Sequence, residues 1–154
     1  IYGGMGTDTL IGGAGLDTFA FSLTGPAQES TYAWHDQVLD FEPGGRWYGD
    51  LVWLQGEEGQ EFFFAGRLNG PLRAGAALPG GGDGELQLVY AQRGGNTFLL
   101  ADTNDNGALD GSDFTVEFRG RYDFSYDEGG SFSAELSDSR ALTTLAVPDM
   151  TVLA

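Results

Sequence analysis

The chain has no cysteine, no lysine and a single histidine. Without cysteine there can be no disulfide, thiolate metal site or cysteine nucleophile. All seven basic residues are Arg, set against 23 Asp and Glu, for a formal charge of −16. That balance argues against nucleic acid as a partner, because phosphate recognition needs clustered Lys and Arg. It argues against an anionic membrane surface for the same reason. No apolar run approaches the roughly 18 residues of a membrane-spanning helix, so no membrane span is expected. A zinc protease needs two His on one helical turn plus a Glu, and the only His is His35. No Gly-x-Ser-x-Gly elbow accompanies it, so His35, between Trp34 and Asp36, reads as a loop residue. Carboxylate pairs suited to glycoside hydrolysis always occur among so many acids, and no spacing singles one out. The chain is expected to be non-catalytic.

A 41% apolar fraction with eleven Phe, six Tyr and three Trp is enough to build a core. A compact domain this acidic repels itself unless something neutralises it. Bound cations would do so, and they would also fasten a secreted chain that has no disulfides. Calcium is the cation that suits an all-oxygen ligand set.

An internal repeat gives the charge a location. Gly3-Gly4-Met5-Gly6-Thr7-Asp8-Thr9-Leu10-Ile11 aligns with Gly12-Gly13-Ala14-Gly15-Leu16-Asp17-Thr18-Phe19-Ala20, a period of nine with three Gly, an Asp and a Thr identical. Leu10 and Phe19 share the eighth position, and Ile1 stands nine residues before Leu10. Ile1-Tyr2 therefore reads as the tail of an earlier copy. With no initiator Met and no signal peptide, the chain reads as a fragment of a longer protein. Six Gly-rich residues make a tight turn, because Gly accepts positive φ and lets carbonyls crowd together. Three residues then make a short strand with its middle side chain inward. Such units wind a parallel β-roll, in which turn carbonyls and the Asp carboxylate converge on a hard cation of six to eight oxygen ligands. The candidate ligands are the carbonyls of Gly3, Gly4, Met5, Gly6, Gly12, Gly13, Ala14 and Gly15, and the carboxylates of Asp8 and Asp17. With only two full repeats, the loop leaving the roll must complete some sites. Asp36 is the first candidate for that and Asp40 the second.

The repeat resembles the RTX repeat of proteins exported by type I secretion. The continuation, Asp17-Thr18-Phe19-Ala20-Phe21-Ser22, then Glu29-Ser30, then Asp36-Gln37-Val38-Leu39-Asp40-Phe41, is similar to the last repeat and exit loop of the C-terminal module in serralysin-type metalloproteases. The R-modules of mannuronan epimerases look similar here. The resemblance runs on through Gly84 to Tyr90, Gly95 to Leu100, Asp102 to Asp113, Phe114 to Gly120 and Leu142 to Ala154. It departs at Gly44 to Asp50, where the family has an acidic stretch, and at 121 to 140, which reads as an insertion. The resemblance implies a secreted module that folds on calcium outside the cell. It also implies an uncleaved signal for the type I secretion machinery at Asp149-Met150-Thr151-Val152-Leu153-Ala154. A last strand at Val147 to Ala154 is the competing reading of that tail.

The fold class expected is all-β: a short parallel β-roll followed by a mostly antiparallel sheet or sandwich, with no helix. The division is 1–41 for the roll stub and exit loop and 42–154 for the β-rich remainder, together one module. Leu51 to Leu54, Glu61 to Ala65, Glu85 to Tyr90, Asn96 to Leu100 and Phe114 to Phe118 are the candidate strands. The third and fourth form a hairpin around Gly94-Gly95. Phe114 to Phe118 alternates and should be half-buried. Residues 66–84, rich in Gly, Pro and Ala, form a long loop. Asp102 to Asp113 matches an EF-hand loop at positions 1, 3, 5, 6, 8, 9 and 12, but strands flank it instead of helices, which favours an acidic β-turn. An alternative function is a polysaccharide- or cell-surface-binding module. It would need an exposed aromatic or Arg-lined groove, and the seven Arg are scattered along the sequence. Trp47, Tyr48, Trp53 and Phe62 to Phe64 read as core packing before carbohydrate contacts.

Overall fold

The structure is a computed structural model that describes residues 1–23, 30–56, 58, 61–82, 84–128 and 130–137. The tail from Leu142 to Ala154, Glu29 and the last residues of the 121–140 stretch lie outside the described residues.

The chain is all-β, built as two mixed sheets. Among the described residues the strands are β1 (Thr9–Leu10), β2 (Thr18–Ser22), β3 (Asp36–Val38), β4 (Leu51–Gln55), β5 (Phe62–Arg67), β6 (Leu86–Arg93), β7 (Asn96–Ala101), β8 (Phe114–Arg119), β9 (Tyr122–Glu128) and β10 (Ser131–Leu136). One helical turn, α1 (Gly45–Tyr48), departs from the expected absence of helix. No helix among the described residues is long and apolar enough to cross a membrane.

Strands up to β4 alternate between the sheets. β1 and β3 pair in parallel in the six-stranded sheet, ordered β1-β3-β8-β7-β6-β5. β2 and β4 pair in parallel in the four-stranded sheet, ordered β2-β4-β10-β9. Tyr2 adds a parallel bridge to Ala20. The remaining pairs are antiparallel except β3 with β8 and β5 with β6, which run parallel. The 121–140 stretch supplies β9 and β10, which build half of the four-stranded sheet. Gly94 and Gly95, at φ 61° and 83°, make the two-residue turn between β6 and β7, whose backbone twist matches that of the strands.

The core lies between the sheets. Leu10 and Phe19, the eighth residues of the two repeats, are both buried there, with Val38, Val52, Phe114, Phe118 and Phe132. Phe41 is its hub, with ring centroids 5.3 Å from Phe118, 5.5 Å from Tyr122, 5.7 Å from Phe124 and 6.2 Å from Phe19. A second apolar cluster joins Val89, Ala91, Phe98 and Leu100 of β6 and β7 to Leu68, Leu72, Leu78 and Leu109. Two expectations change as a result. The long loop after β5 is real, but its three leucines are core residues. Phe114 to Phe118 is buried on nearly every side chain instead of half-buried. Its start is covered by 30–33, where Thr31 bridges Phe114 and Tyr32 N–H donates to Asp113 O at 2.8 Å. Trp47, Tyr48, Trp53 and Phe63 are exposed, so only Phe62 and Phe64 of the sequence's aromatic set pack against the core.

Candidate metal centre

The repeated turn has a physical reason at each glycine. Gly4, Gly6, Gly13 and Gly15 sit at φ 88°, 124°, 87° and 107° with nothing near a would-be Cβ. They are Gly for their backbone conformation. Gly3 and Gly12 are Gly for space, because the Asp of the same repeat folds back over them. A Cβ at Gly3 would lie 3.0 Å from Asp8 Oδ2, and one at Gly12 2.6 Å from Asp17 Oδ2 and 3.1 Å from Phe19 Cζ. Gly12→Ala should therefore push the Asp17 carboxylate or the Phe19 ring aside, an overpacking cost of about 1–3 kcal/mol. Gly13→Ala should show only the left-handed backbone penalty, about 1–2 kcal/mol. Thermal melts with and without calcium check this: the calcium-induced shift should shrink for Gly12→Ala and persist for Gly13→Ala.

Strand register brings aspartates together in pairs. Thr9 pairs with Gln37 and Thr18 with Leu51, so Asp8 stands beside Asp36 and Asp17 beside Asp50. The contacts repeat: Asp8 N–H donates to Asp36 Oδ1 at 2.8 Å, and Asp17 N–H to Asp50 Oδ1 at 2.9 Å. Asp36 and Asp50 are both buried. Asp40 does something else. Its two oxygens accept from Gly12 N–H and Gly13 N–H, each at 2.7 Å, clipping the exit loop onto the second repeat. Met5 and Ala14 lie at exposed turn tips. Asp50 was not among the sequence candidates. The signal for it was present: Asp8-Thr9-Leu10, Asp17-Thr18-Phe19, Asp36-Gln37-Val38 and Asp50-Leu51-Val52 all read Asp-x-apolar.

Three of these carboxylates are incompletely satisfied. Asp8 Oδ2, Asp17 Oδ2 and Asp36 Oδ2 are buried without a hydrogen-bond partner. Asp127 Oδ2, whose fellow oxygen accepts from Ser133 Oγ at 3.1 Å, is the fourth such atom among the described residues and belongs to the β9–β10 hairpin. A buried anionic oxygen with no partner is costly unless a proton or a cation meets it. Burial pushes the Asp36 carboxyl above the ordinary carboxylate range, and the nearby Asp8 charge adds to this; the Asp8 N–H and His35 oppose it.

This shift has a consequence for stability. A raised folded-state pKa means the native chain holds a proton that the unfolded chain has released. Metal-free stability should therefore fall as pH rises from 3.8 through the raised value of Asp36. Asp113, also raised by burial, acts in the same direction. Asp110 acts oppositely: hydrogen bonds from Ser112 and Asn104 lower it to about 2, so its contribution is lost only as pH falls toward that value. Melts of the chelated chain between about pH 4 and 7 should thus show Tm falling with pH. A rising Tm would contradict the burial assigned to Asp36.

The Asp102 to Asp113 turn joins β7 to β8, as its strand flanks predicted. It is closed by its own bonds. Asp102 Oδ2 accepts from Gly107 N–H at 2.7 Å, Asp110 Oδ2 from Asn104 Nδ2 at 2.6 Å, and Asp113 accepts from Thr103 and Asp110 N–H. Leu109 pairs by backbone with Ala76 and Gly75, tying the turn to the long loop. His35 is a structural link: its Nε2 lies 2.9 Å from Glu117 Oε2, and Asn96 Nδ2 donates to Glu117 Oε1 at 2.6 Å.

Among the described residues no three Asp, Glu, His or Cys side chains converge to hold a metal ion by themselves. A calcium ion here would combine paired carboxylates with turn carbonyls. The residues fit such an ion: every available donor is oxygen, and three carboxylate oxygens lack partners. No protein-family model matches the chain, and no curated protein matches its sequence.

Proposed function

We propose that this chain is a calcium-binding module of the RTX type, itself non-catalytic, that folds on calcium outside the cell as part of a larger exported protein. The observation that carries the reading is the set of unpartnered buried oxygens on Asp8, Asp17 and Asp36 at in-register positions of a repeated glycine turn. The alternation of β1 to β4 between two sheets, in parallel pairs, supports a β-roll for residues 1–41 and for the exit loop into β4. Asp36 is the partner proposed to complete the site beside Asp8. Asp40, and Asp50 beside Asp17, are proposed as second-rank ligands, since both oxygens of each already hold backbone N–H groups.

At low cytoplasmic calcium, repulsion among these carboxylates keeps the chain open for passage through a type I channel. At high extracellular calcium, binding free energy becomes folding free energy. The signal for export is assigned to Asp149 to Ala154. Deleting those six residues should abolish secretion through a type I channel while leaving the calcium-dependent melt unchanged. Normal export of the truncated chain would count against the assignment.

The reading is tested by melting the chain in calcium and in chelator. At a calcium concentration about 100 times Kd, one site adds about 2.7 kcal/mol, or roughly 5–10 °C for a chain this long. Coincident melts would overturn it.

The polysaccharide-binding alternative draws on the exposed Trp47 and Tyr48, with the Arg46 guanidinium 5.1 Å from the Trp47 ring centroid.

A further inference from the structure

Two of the chain's asparagines precede a glycine, Asn69-Gly70 and Asn106-Gly107. Such a pair carries latent chemistry. The glycine backbone nitrogen can attack the asparagine side-chain carbonyl carbon, because no Cβ on the glycine shields it. Both asparagines are exposed, so access of solvent does not distinguish them. Their hydrogen bonds do.

The second pair is tied down at each reacting group. Gly107 N–H donates to Asp102 Oδ2 at 2.7 Å, and Asp102 is buried. Asn106 Nδ2 donates to Asp110 Oδ2 at 2.9 Å, and Asn106 Oδ1 accepts from Ala108 N–H at 2.9 Å. Attack there requires Gly107 to give up a proton held by a carboxylate, and the side chain to leave both partners. The backbone is also crowded, since a Cβ at Gly81 would lie 2.4 Å from Gly107 Cα. The first pair has none of these restraints. Among the described residues neither the Asn69 side chain nor Gly70 N–H has a hydrogen-bond partner. Gly70 sits at φ 110° with nothing within 4 Å of a would-be Cβ. Asn69 also borders a cavity of about 340 Å³, which leaves its side chain room to turn onto the backbone.

We infer that Asn69 is a site of spontaneous deamidation in the folded chain, and that Asn106 is protected from it. Gly70 N loses its proton to solvent and bonds to Asn69 Cγ. The Cγ–Nδ2 bond breaks, and Nδ2 takes up a proton and leaves as ammonia. The product is a five-membered cyclic imide, which water opens. Cleaving N–Cγ leaves aspartate. Cleaving the bond from N to the main-chain carbonyl carbon leaves isoaspartate, whose main chain runs through Cβ and Cγ and is one atom longer. Position gives that second product its effect. Asn69 lies between Leu68 and Leu72, both buried in the second apolar cluster. Leu68 N–H donates to Tyr90 O at 2.7 Å, and Leu72 O accepts from Arg93 Nη1 at 3.2 Å. An added backbone atom between these two anchors displaces a leucine from its packing on β6 and β7. None of the proposed calcium ligands lies in this loop, so the inference is independent of the calcium reading.

The test is to age the whole chain in calcium at mildly alkaline pH, which favours loss of the amide proton, and to map its peptides by mass spectrometry. Asn69 should convert to the acid about tenfold or more faster than Asn106, since freeing Gly107 N–H from a charged acceptor alone slows the reaction that much. In denaturant the two rates should converge. Equal rates in the folded chain would overturn the inference, as would a difference that persists in denaturant, because flanking sequence would then be its cause. Melts test the consequence. The aged parent should melt below the fresh one, whereas an aged Asn69→Gln chain, limited to a less favoured six-membered imide, should not. A fresh Asn69→Asp chain, which carries the charge without the extra atom, should melt as the parent does. Aged parent and aged Asn69→Gln chains that melt alike would overturn the effect assigned to isoaspartate. A fresh Asn69→Asp chain as unstable as the aged parent would overturn it equally.

Discussion

Phe41→Ala should lower stability by about 3–5 kcal/mol, which for this length is a drop in Tm of very roughly 6–20 °C. The residue lies in the segment that leaves the repeats, where a loop side chain would ordinarily be dispensable. Here its ring is buried and meets Phe19 of the second repeat, Phe118 of β8, and Tyr122 and Phe124 of β9. It therefore joins the repeats to both sheets. Tyr122 adds to the same junction, with its hydroxyl 3.0 Å from Phe41 O and 2.8 Å from Arg119 O. Truncating the ring leaves a cavity that those aromatic neighbours cannot easily close, because they are packed against one another, Phe118 tilted and Tyr122 edge-on to Phe124. A melt in saturating calcium measures the effect. A loss of under about 1 kcal/mol, typical of surface substitutions, would mean that the exit segment does not pack as described.

Asp36→Asn should change sign with calcium. In chelator the substitution should be neutral or stabilising, because it removes a buried carboxylate whose ionised form is disfavoured and keeps an oxygen for Asp8 N–H. In calcium it should be destabilising, with affinity reduced about tenfold or more, since one anionic ligand is lost. Asp8→Asn should behave similarly, because Asp8 Oδ2 is unpartnered at the same coil. Asp40→Asn should weaken both states, as its oxygens hold Gly12 and Gly13 N–H groups, and should lower calcium affinity less than Asp36→Asn does. Calorimetric titration together with melts of each variant in calcium and in chelator separates these patterns. An Asp36→Asn chain that is equally destabilised with and without calcium would make Asp36 a hydrogen-bond residue only.

What could be read from the sequence followed from periodicity. The nine-residue repeat placed Leu10 and Phe19 inward and Asp8 and Asp17 at strand starts, and short apolar runs between turns located β4 to β8 but not β9 and β10, which lie in the stretch that reads as an insertion. What could not be read came from contacts between distant segments. β8 looks half-buried by its alternation, but residues 30–33 cover its start, and no local pattern announces that. Leu68, Leu72 and Leu78 have no strand or helix period because a loop needs none to bury a side chain against β6 and β7. The arginines looked scattered because Arg67, Arg93, Arg119 and Arg121 meet only when parallel and antiparallel pairings bring strand ends together. Asp50 was missed because the 44–50 segment departs from the resembling family, although its Asp-x-apolar start matches those of β1, β2 and β3.

The central claim is that in-register aspartates on successive coils hold calcium. A crystal structure grown in calcium, with anomalous difference maps, tests it most directly. Peaks are predicted where Asp8 Oδ2 and Asp36 Oδ2 meet the carbonyls of the first glycine turn, and beside Asp17 Oδ2 at the second. Calcium found at neither place, or only within the Asp102 to Asp113 turn, would contradict the claim.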